Sequence, residues 1–119
     1  MATEPATVHG LHIYPVKGQP GHDLEAVLVD DDGLAGDRRK KAPVHLIASE
    51  DVRDDTRANI VLTLASGELT ATVGALLRVG AVELSVTGPA GGCPGVYAAV
   101  LRSGTVHLGD PVTAAHEPA

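Results

Sequence analysis

The sequence predicts a small, mainly antiparallel all-β domain with one short helix, and three observations carry this prediction. Apolar runs of about four to eight residues recur along the chain, each followed by a turn rich in Gly, Pro, Asp or Ser. No helix-length periodic segment separates the runs, so parallel crossovers are not expected. The 119 residues suffice for one ordinary domain. Together these features predict a compact barrel or sandwich.

Residues 8–115 are expected to form this domain, with residues 1–7 and 116–119 as flexible ends. Its core must be aliphatic, because Phe and Trp are absent. The net charge of −6 argues against nucleic acid or an anionic membrane as a partner, since both require a basic face. A single cysteine excludes an internal disulfide, and no apolar leader precedes the first run. A cytoplasmic location is therefore expected.

In the first third of the chain, alternating residues predict strands over 8–14 and 24–29. A loop rich in Pro and Gly follows the first strand, and Lys17 is its only charge. An acidic turn over 30–33 ends the second strand. The next segment carries four consecutive cations over 38–41, a run that usually lies on a solvated surface. Within it, Asp37 could orient Arg38 through a charge-assisted hydrogen bond.

The middle of the chain predicts a strand over 44–48 and then a helix over 49–56. Ser49 is a plausible N-cap, with Glu50 and Asp51 in the first turn, where the helix dipole favours negative charge. This is the one helix expected. The β-branched run over 60–64 is too apolar for an edge strand. A turn at 66–67 and a returning strand over 69–73 are predicted after it.

The last third predicts two hairpins and a final short strand. The first hairpin joins residues 76–79 to 82–87, and the second joins 96–102 to 105–108. Between them lies a loop over 88–95 that is rich in Gly and Pro and carries Cys93, the only cysteine. Glycines allow close approach of the backbone to a bound group, so this thiol could be reachable. The alternative is that Cys93 is a small buried filler.

The order of five segments resembles the succession of motifs in the MOSC domain, the C-terminal domain of molybdenum cofactor sulfurases. The tail over 95–110 also resembles the closing hairpin of stand-alone bacterial members. The segments are Tyr14-Pro15-Val16-Lys17, Gly33-Leu34-Ala35-Gly36-Asp37-Arg38, Arg57-Ala58-Asn59-Ile60, the run from Val73 to Gly80, and Cys93.

The resemblance implies a MOSC-like β-barrel that binds the pyranopterin form of the molybdenum cofactor, with Cys93 on or near the metal. Metal ligation and persulfide formation both require a thiolate. By motif position, the residues expected to bind the cofactor or its phosphate are Lys17, Asp37, Arg38, Arg57 and Asn59. Pyridoxal phosphate is a second cofactor that the resemblance suggests.

Three functions follow from the resemblance and stay open at the level of sequence. Cys93 could hold molybdenum or carry a persulfide sulfur to a partner protein. The chain could instead be a molybdenum-dependent reductase of N-hydroxylated compounds that needs an external electron donor. In the third case it is a non-catalytic interaction barrel with a structural cysteine. Metal content separates the first two functions from the third.

Overall fold

The computed structural model describes residues 6–16, 18–38, 42–54, 56–90 and 94–115. Eleven strands, one α-helix and one turn of 3-10 helix make up this part of the chain. The elements are β1 (Ala6–Ile13), β2 (His22–Leu24), β3 (Ala26–Asp30), β4 (Gly33–Leu34), β5 (Val44–Ala48), the 3-10 turn (Ser49–Asp51), β6 (Ile60–Leu62), α1 (Ser66–Thr70), β7 (Leu76–Val79), β8 (Val82–Pro89), β9 (Val96–Arg102), β10 (Gly104–His107) and β11 (Pro111–Ala115).

Seven strands close into a barrel, which confirms the predicted small all-β fold. Their order is β11-β7-β8-β9-β5-β6-β1, and β1 pairs with β11 to complete the ring. β2 adds to the outside of β1, while β10, β3 and β4 form a separate three-stranded sheet. Closure leaves a main aliphatic core in which residues such as Leu11, Leu46 and Leu84 are fully buried, and Ile47, Ala58 and Val61 form a second, smaller buried cluster. No helix among the described residues is long and apolar enough to span a membrane.

One strand pair runs parallel, so the expectation that no parallel crossover would occur is wrong. β5 pairs with β6 in parallel, and the described residues of the connecting segment 49–59 form no α-helix. A crossover of about this length usually contains a helix, which the prediction took as a requirement. The other pairings of the barrel are antiparallel, so the sheet is mainly antiparallel as predicted. β6 is fully buried between β5 and β1, which confirms that it is no edge strand.

The helix forms elsewhere than predicted. The described residues of the segment 49–56 contain the 3-10 turn and no α-helix. The N-cap of this turn is Ala48 with no side-chain cap, and the chain is extended again at Val52. The α-helix is α1, where a turn and a strand were predicted. Its first turn is stabilised by Glu68, which accepts a hydrogen bond from the backbone N–H of Ala65, and its buried residue is Leu69.

Two further strand predictions are corrected by the pairing. The predicted strand over 24–29 is divided at Glu25, because β2 pairs with β1 whereas β3 pairs with β10. The hairpin predicted between residues 96–102 and 105–108 does not form. β9 lies between β8 and β5 in the barrel, and β10 leaves it to join the small sheet. The hairpin of β7 and β8 is confirmed.

Candidate functional site

The structure brings two of the predicted site residues into direct contact. Asp37 follows β4 and Asn59 precedes β6, and the Asn59 amide donates a hydrogen bond to the Asp37 carboxylate over 2.9 Å. Arg57 lies two residues before Asn59, and Arg38 directly follows Asp37. Lys17 and Cys93 lie outside the described residues. The site is therefore built around Asp37 and Asn59.

Asn59 is fully buried and joins three segments of the chain. Its side-chain N–H groups donate to the Asp37 carboxylate and, at 3.3 Å, to the His12 carbonyl of β1. Its side-chain oxygen accepts from the backbone N–H of His45 in β5 at 3.0 Å. A buried amide is costly unless its donors and acceptor are satisfied, and here both ends are. Asn59 thus fixes the positions of Asp37 and His45 and has no surface for contact with a ligand.

Asp37 receives N–H donors on both carboxylate oxygens. The backbone N–H of Tyr14 donates to Oδ1 at 2.7 Å, and the Asn59 amide donates to Oδ2. The turn that presents the carboxylate needs Gly36, whose φ of 86° is costly for other residues. Charge-assisted bonds of this kind are among the stronger hydrogen bonds in proteins. Asp37 therefore holds the segment after β1 against the turn after β4.

Arg57 is held over the ring of Tyr14. Its guanidinium carbon lies 4.6 Å from the ring centroid, a cation–π distance, and Nη2 donates to the carbonyl of Gln19 at 3.1 Å. The Tyr14 hydroxyl donates to the carbonyl of Ala58 at 3.1 Å. Burial raises the pKa of Tyr14, and the positive charge of Arg57 opposes part of that rise. Arg57 is exposed and has donors left for an anion.

Arg38 presents its side chain to solvent and forms no ion pair with another described residue. The predicted orientation of Arg38 by Asp37 stays a prediction, although the two N–H donors identified on Asp37 come from Tyr14 and Asn59. An exposed guanidinium beside a fixed turn can reach an anion at little cost, because no described residue forms an ion pair with it.

The ends of the loop that carries Cys93 are fixed against β5. The backbone N–H of Ala90 donates to the carbonyl of Gly95 at 3.1 Å, and His45 Nε2 donates to the carbonyl of Pro94 at 2.8 Å. Gly95 has a φ of 99°, and a Cβ there would overlap the Leu46 carbonyl. The edge of the Tyr97 ring packs on His45 at a centroid distance of 5.3 Å. His45 therefore connects this loop to Asn59.

An open cleft of about 310 Å³ lies beside Tyr14 and Arg57. This volume is at the lower end of the range typical of small-molecule sites, about 300–1,000 Å³. The polar groups that line it include a direct pair, His12 and Asp23, whose Nδ1 and Oδ1 atoms are 2.7 Å apart. The lining residues are His12, Tyr14, Pro20, Gly21, Asp23, Val52, Arg53, Asp54, Thr56, Arg57 and Val61.

Sequence reasoning missed His45, Tyr14 and the pair of His12 and Asp23 as parts of the site. Nothing local in the sequence marks His45, which matters only because β5 lies next to β9 and Asn59. His12 meets Asp23 because β1 and β2 place them directly opposite each other. Tyr14 lies in the first of the five motif segments, directly before Pro15, and this position was the signal that could have identified it as part of the site.

Three solved structures resemble this chain in fold. YuaD from Bacillus subtilis has a TM-score of 0.72 at 16% identity, covering 92% of this chain and 94% of that one. YiiM from Geobacillus stearothermophilus has a TM-score of 0.67 at 14% identity, covering 94% and 76%. A hypothetical protein has a TM-score of 0.76 at 13% identity, covering 96% and 70%. No family model and no curated protein matches the sequence. The likenesses support a MOSC-like barrel fold.

Proposed function

We propose that this barrel binds the molybdenum cofactor, or handles sulfur, with Cys93 as the metal ligand or persulfide carrier. One observation supports the proposal most strongly. The chain of hydrogen bonds from Tyr14 through Asp37, Asn59 and His45 to Pro94 joins three of the motif segments to the loop of Cys93. Residues far apart in sequence thus converge on one framework, as the site of a MOSC domain would require.

The chemistry of the exposed donors fits an anionic cofactor that bears a phosphate. Arg38 and Arg57 present guanidinium groups, whose forked donors suit phosphate oxygens. Arg57 is already fixed by Tyr14 and Gln19, so less conformational freedom is lost when it binds an anion. Asp37 directs its oxygens to N–H donors of the protein, which reduces its repulsion of a phosphate. Lys17 is expected to add a third cation.

In this proposal Asn59 is a positioning residue, because it is fully buried. It holds Asp37 on one side and His45 on the other, so it acts on the cofactor through these neighbours. When bound, the cofactor would supply a metal centre that can change its oxidation state. The residues of the chain would bind the phosphate and hold the Cys93 thiolate, which is a soft ligand suited to this class of metal.

The decisive experiment is elemental analysis of the protein after expression in a host that makes the cofactor, together with persulfide labelling. Molybdenum in near-stoichiometric amount supports cofactor binding, and a persulfide without molybdenum supports sulfur handling. Cys93→Ser is expected to abolish whichever signal is present, because a hydroxyl does neither task at neutral pH. The signal should persist in Ser103→Ala, an exposed control position outside the loop of Cys93. Absence of both signals from the wild type would overturn the proposal.

If molybdenum is bound, an assay with a dithionite-reduced dye and an N-hydroxylated substrate tests for the reductase. Turnover in this assay identifies the protein as a reductase and not only a cofactor-binding domain. A thiol that reacts with reagents only after unfolding indicates the structural cysteine of an interaction barrel. Each outcome therefore points to one of the functions that the sequence left open.

A further inference from the structure

The cleft beside Arg57 contains a histidine whose orientation is set by the pairing of two strands. His12 of β1 lies directly opposite Asp23 of β2 in the antiparallel register. Residues directly opposite each other project to the same side of the sheet, so their side chains can meet. His12 Nδ1 lies 2.7 Å from Asp23 Oδ1, and the His12 side chain is 27% exposed. The imidazole is therefore anchored at one nitrogen and accessible from the cleft.

The carboxylate determines which nitrogen of His12 carries the proton. An ionised carboxylate can only accept, so Nδ1 must be the donor in this pair. In the neutral ring the second nitrogen, Nε2, is then a lone-pair acceptor. Such a nitrogen binds a hydroxyl or N–H group of a ligand and repels a bare anionic oxygen.

Gly10 lies close beside His12 Nε2 and lets the imidazole take this position. A Cβ built on Gly10 would lie 2.9 Å from Nε2 and 3.4 Å from a methyl group of Val61. His12 and Val61 both line the cleft, so a residue that displaces the imidazole at this point changes the wall of the cleft. A side chain at position 10 would push the ring aside.

The cleft presents donors and acceptors together. Arg53 and Arg57 bring positive charge, whereas Asp23 and Asp54 bring negative charge, and the Tyr14 hydroxyl is uncharged near neutral pH. A ligand with only negative oxygens would meet Arg57 favourably but would face the lone pair of His12 and two carboxylates. A ligand that combines an anionic group with a hydrogen-bond donor can pair with the arginine as well as with the acceptors of the cleft.

We propose that the cleft binds a small oxyanion that carries its own hydroxyl proton, with Arg57 on the anionic oxygens and His12 Nε2 accepting from the hydroxyl. The proposal rests on the anion site described above only in assigning Arg57 to an anion, and it concerns a free oxyanion, because an ionised phosphate monoester carries no hydroxyl proton. Hydrogen phosphate is the simplest member of this class. Sulfate, a tetrahedral dianion of similar size without the proton, is its matched counterpart.

The test compares the binding of hydrogen phosphate and of sulfate at about pH 8, where an ordinary histidine is neutral. Titrations at constant ionic strength are followed by calorimetry and by the ¹⁵N signals of the histidine rings. A neutral hydrogen bond contributes about 0.5–1.5 kcal/mol, so the wild type should prefer hydrogen phosphate roughly two- to tenfold. His12→Phe, which keeps a flat ring but has no acceptor, should lose the preference.

Three variants separate the parts of the site. Gly10→Ala keeps the imidazole but displaces it, so the preference should fall. Arg57→Ala should weaken both anions alike, since it removes charge and no proton acceptor. Arg102→Ala, an exposed arginine on β9 outside the cleft, should leave both affinities unchanged.

Equal affinities in the wild type, a preference that survives in His12→Phe, or failure to bind either anion would each overturn the proposal. If His12→Phe fails to fold, the ring ¹⁵N spectrum of the wild type still decides, because a proton found on Nε2 and not on Nδ1 contradicts the assignment. Metal and persulfide content are measured on the same preparation. Anion preference without either signal refutes the proposed function alone, and either signal without anion preference refutes this inference alone.

Discussion

Removing the side chain of Asn59 should be among the most damaging single changes in this protein. Asn59→Ala deletes the amide that donates to Asp37 and the oxygen that accepts from the backbone N–H of His45. Asn59 has no exposed surface, so water cannot readily replace the hydrogen-bond partners that the substitution removes. The barrel therefore loses the connection between the turn after β4 and strand β5.

The substitution breaks three side-chain hydrogen bonds, and the magnitude follows from two of them, the bond to the Asp37 carboxylate and the bond from the His45 N–H. A hydrogen bond to a charged group contributes about 1.5–3 kcal/mol, and a buried donor left without a partner costs about 1–3 kcal/mol. The free energy of unfolding should therefore fall by about 3–5 kcal/mol. Single domains are usually stable by about 5–15 kcal/mol, so the variant would lose about a fifth or more of its stability.

Urea unfolding followed by circular dichroism measures this loss. Arg38→Ala is the control, because an exposed side chain away from special features should change the stability by about 0.5 kcal/mol or less. Asp37→Ala and the double variant complete a cycle, in which two residues in contact should couple by about 0.5–3 kcal/mol. A loss in Asn59→Ala no larger than that of the control would refute the reasoning about the buried framework.

Three other predictions address the loop, the buried tyrosine and the anion site. Gly95→Ala should lower the free energy of unfolding by about 2 kcal/mol or more, because φ at Gly95 is 99° and the new Cβ would overlap the Leu46 carbonyl. Gly67→Ala, in the open first turn of α1, should raise the free energy of unfolding by up to about 1 kcal/mol. Similar urea midpoints for the two variants would contradict this contrast. Because the folded pKa of Tyr14 is raised, the unfolded chain releases its proton first, so stability should decline from about pH 10 up to the folded pKa, and Tyr14→Phe should lose that part of the decline; parallel stability curves for the two proteins would count against it. Lys17→Ala and Arg38→Ala should each reduce cofactor retention by roughly tenfold to a hundredfold without unfolding the barrel; unchanged retention in both would locate the phosphate elsewhere.

The barrel was predictable because its strands are marked by local chemistry. Aliphatic runs separated by tight turns specify short strands, and the hairpin of β7 and β8 appears where the alternation of residues places it. The motifs also identified Asp37 and Asn59 as candidate site residues, although the sequence does not show that their side chains are in contact.

The failures share a different physical origin. Ser49 and the acids after it favour a helix locally, yet the chain must return from β5 to β6 in parallel, and one 3-10 turn followed by a turn that joins Arg53 and Thr56 lies on this path. The segment that became α1 contains Thr and Gly, which are weak helix formers, and its buried Leu69 packs against the core. Tertiary packing overrides local propensity most easily in segments this short.

The pair of His12 and Asp23 and the link from His45 to Pro94 could not be read from the sequence for a further reason. Each depends on which strands become neighbours: β2 turns back along β1, and β5 lies beside β9. Strand neighbours are set by how the whole barrel closes, and a shift of one residue would reverse the faces of the side chains. The polar groups around Asn59 depend on the same closure, because their partners come from β1, β5 and the turn after β4. A buried polar network of this kind can hold a site firmly only when every polar group in it has a hydrogen-bond partner. The same condition explains why a single asparagine should matter both to the stability of the barrel and to the position of its cysteine loop.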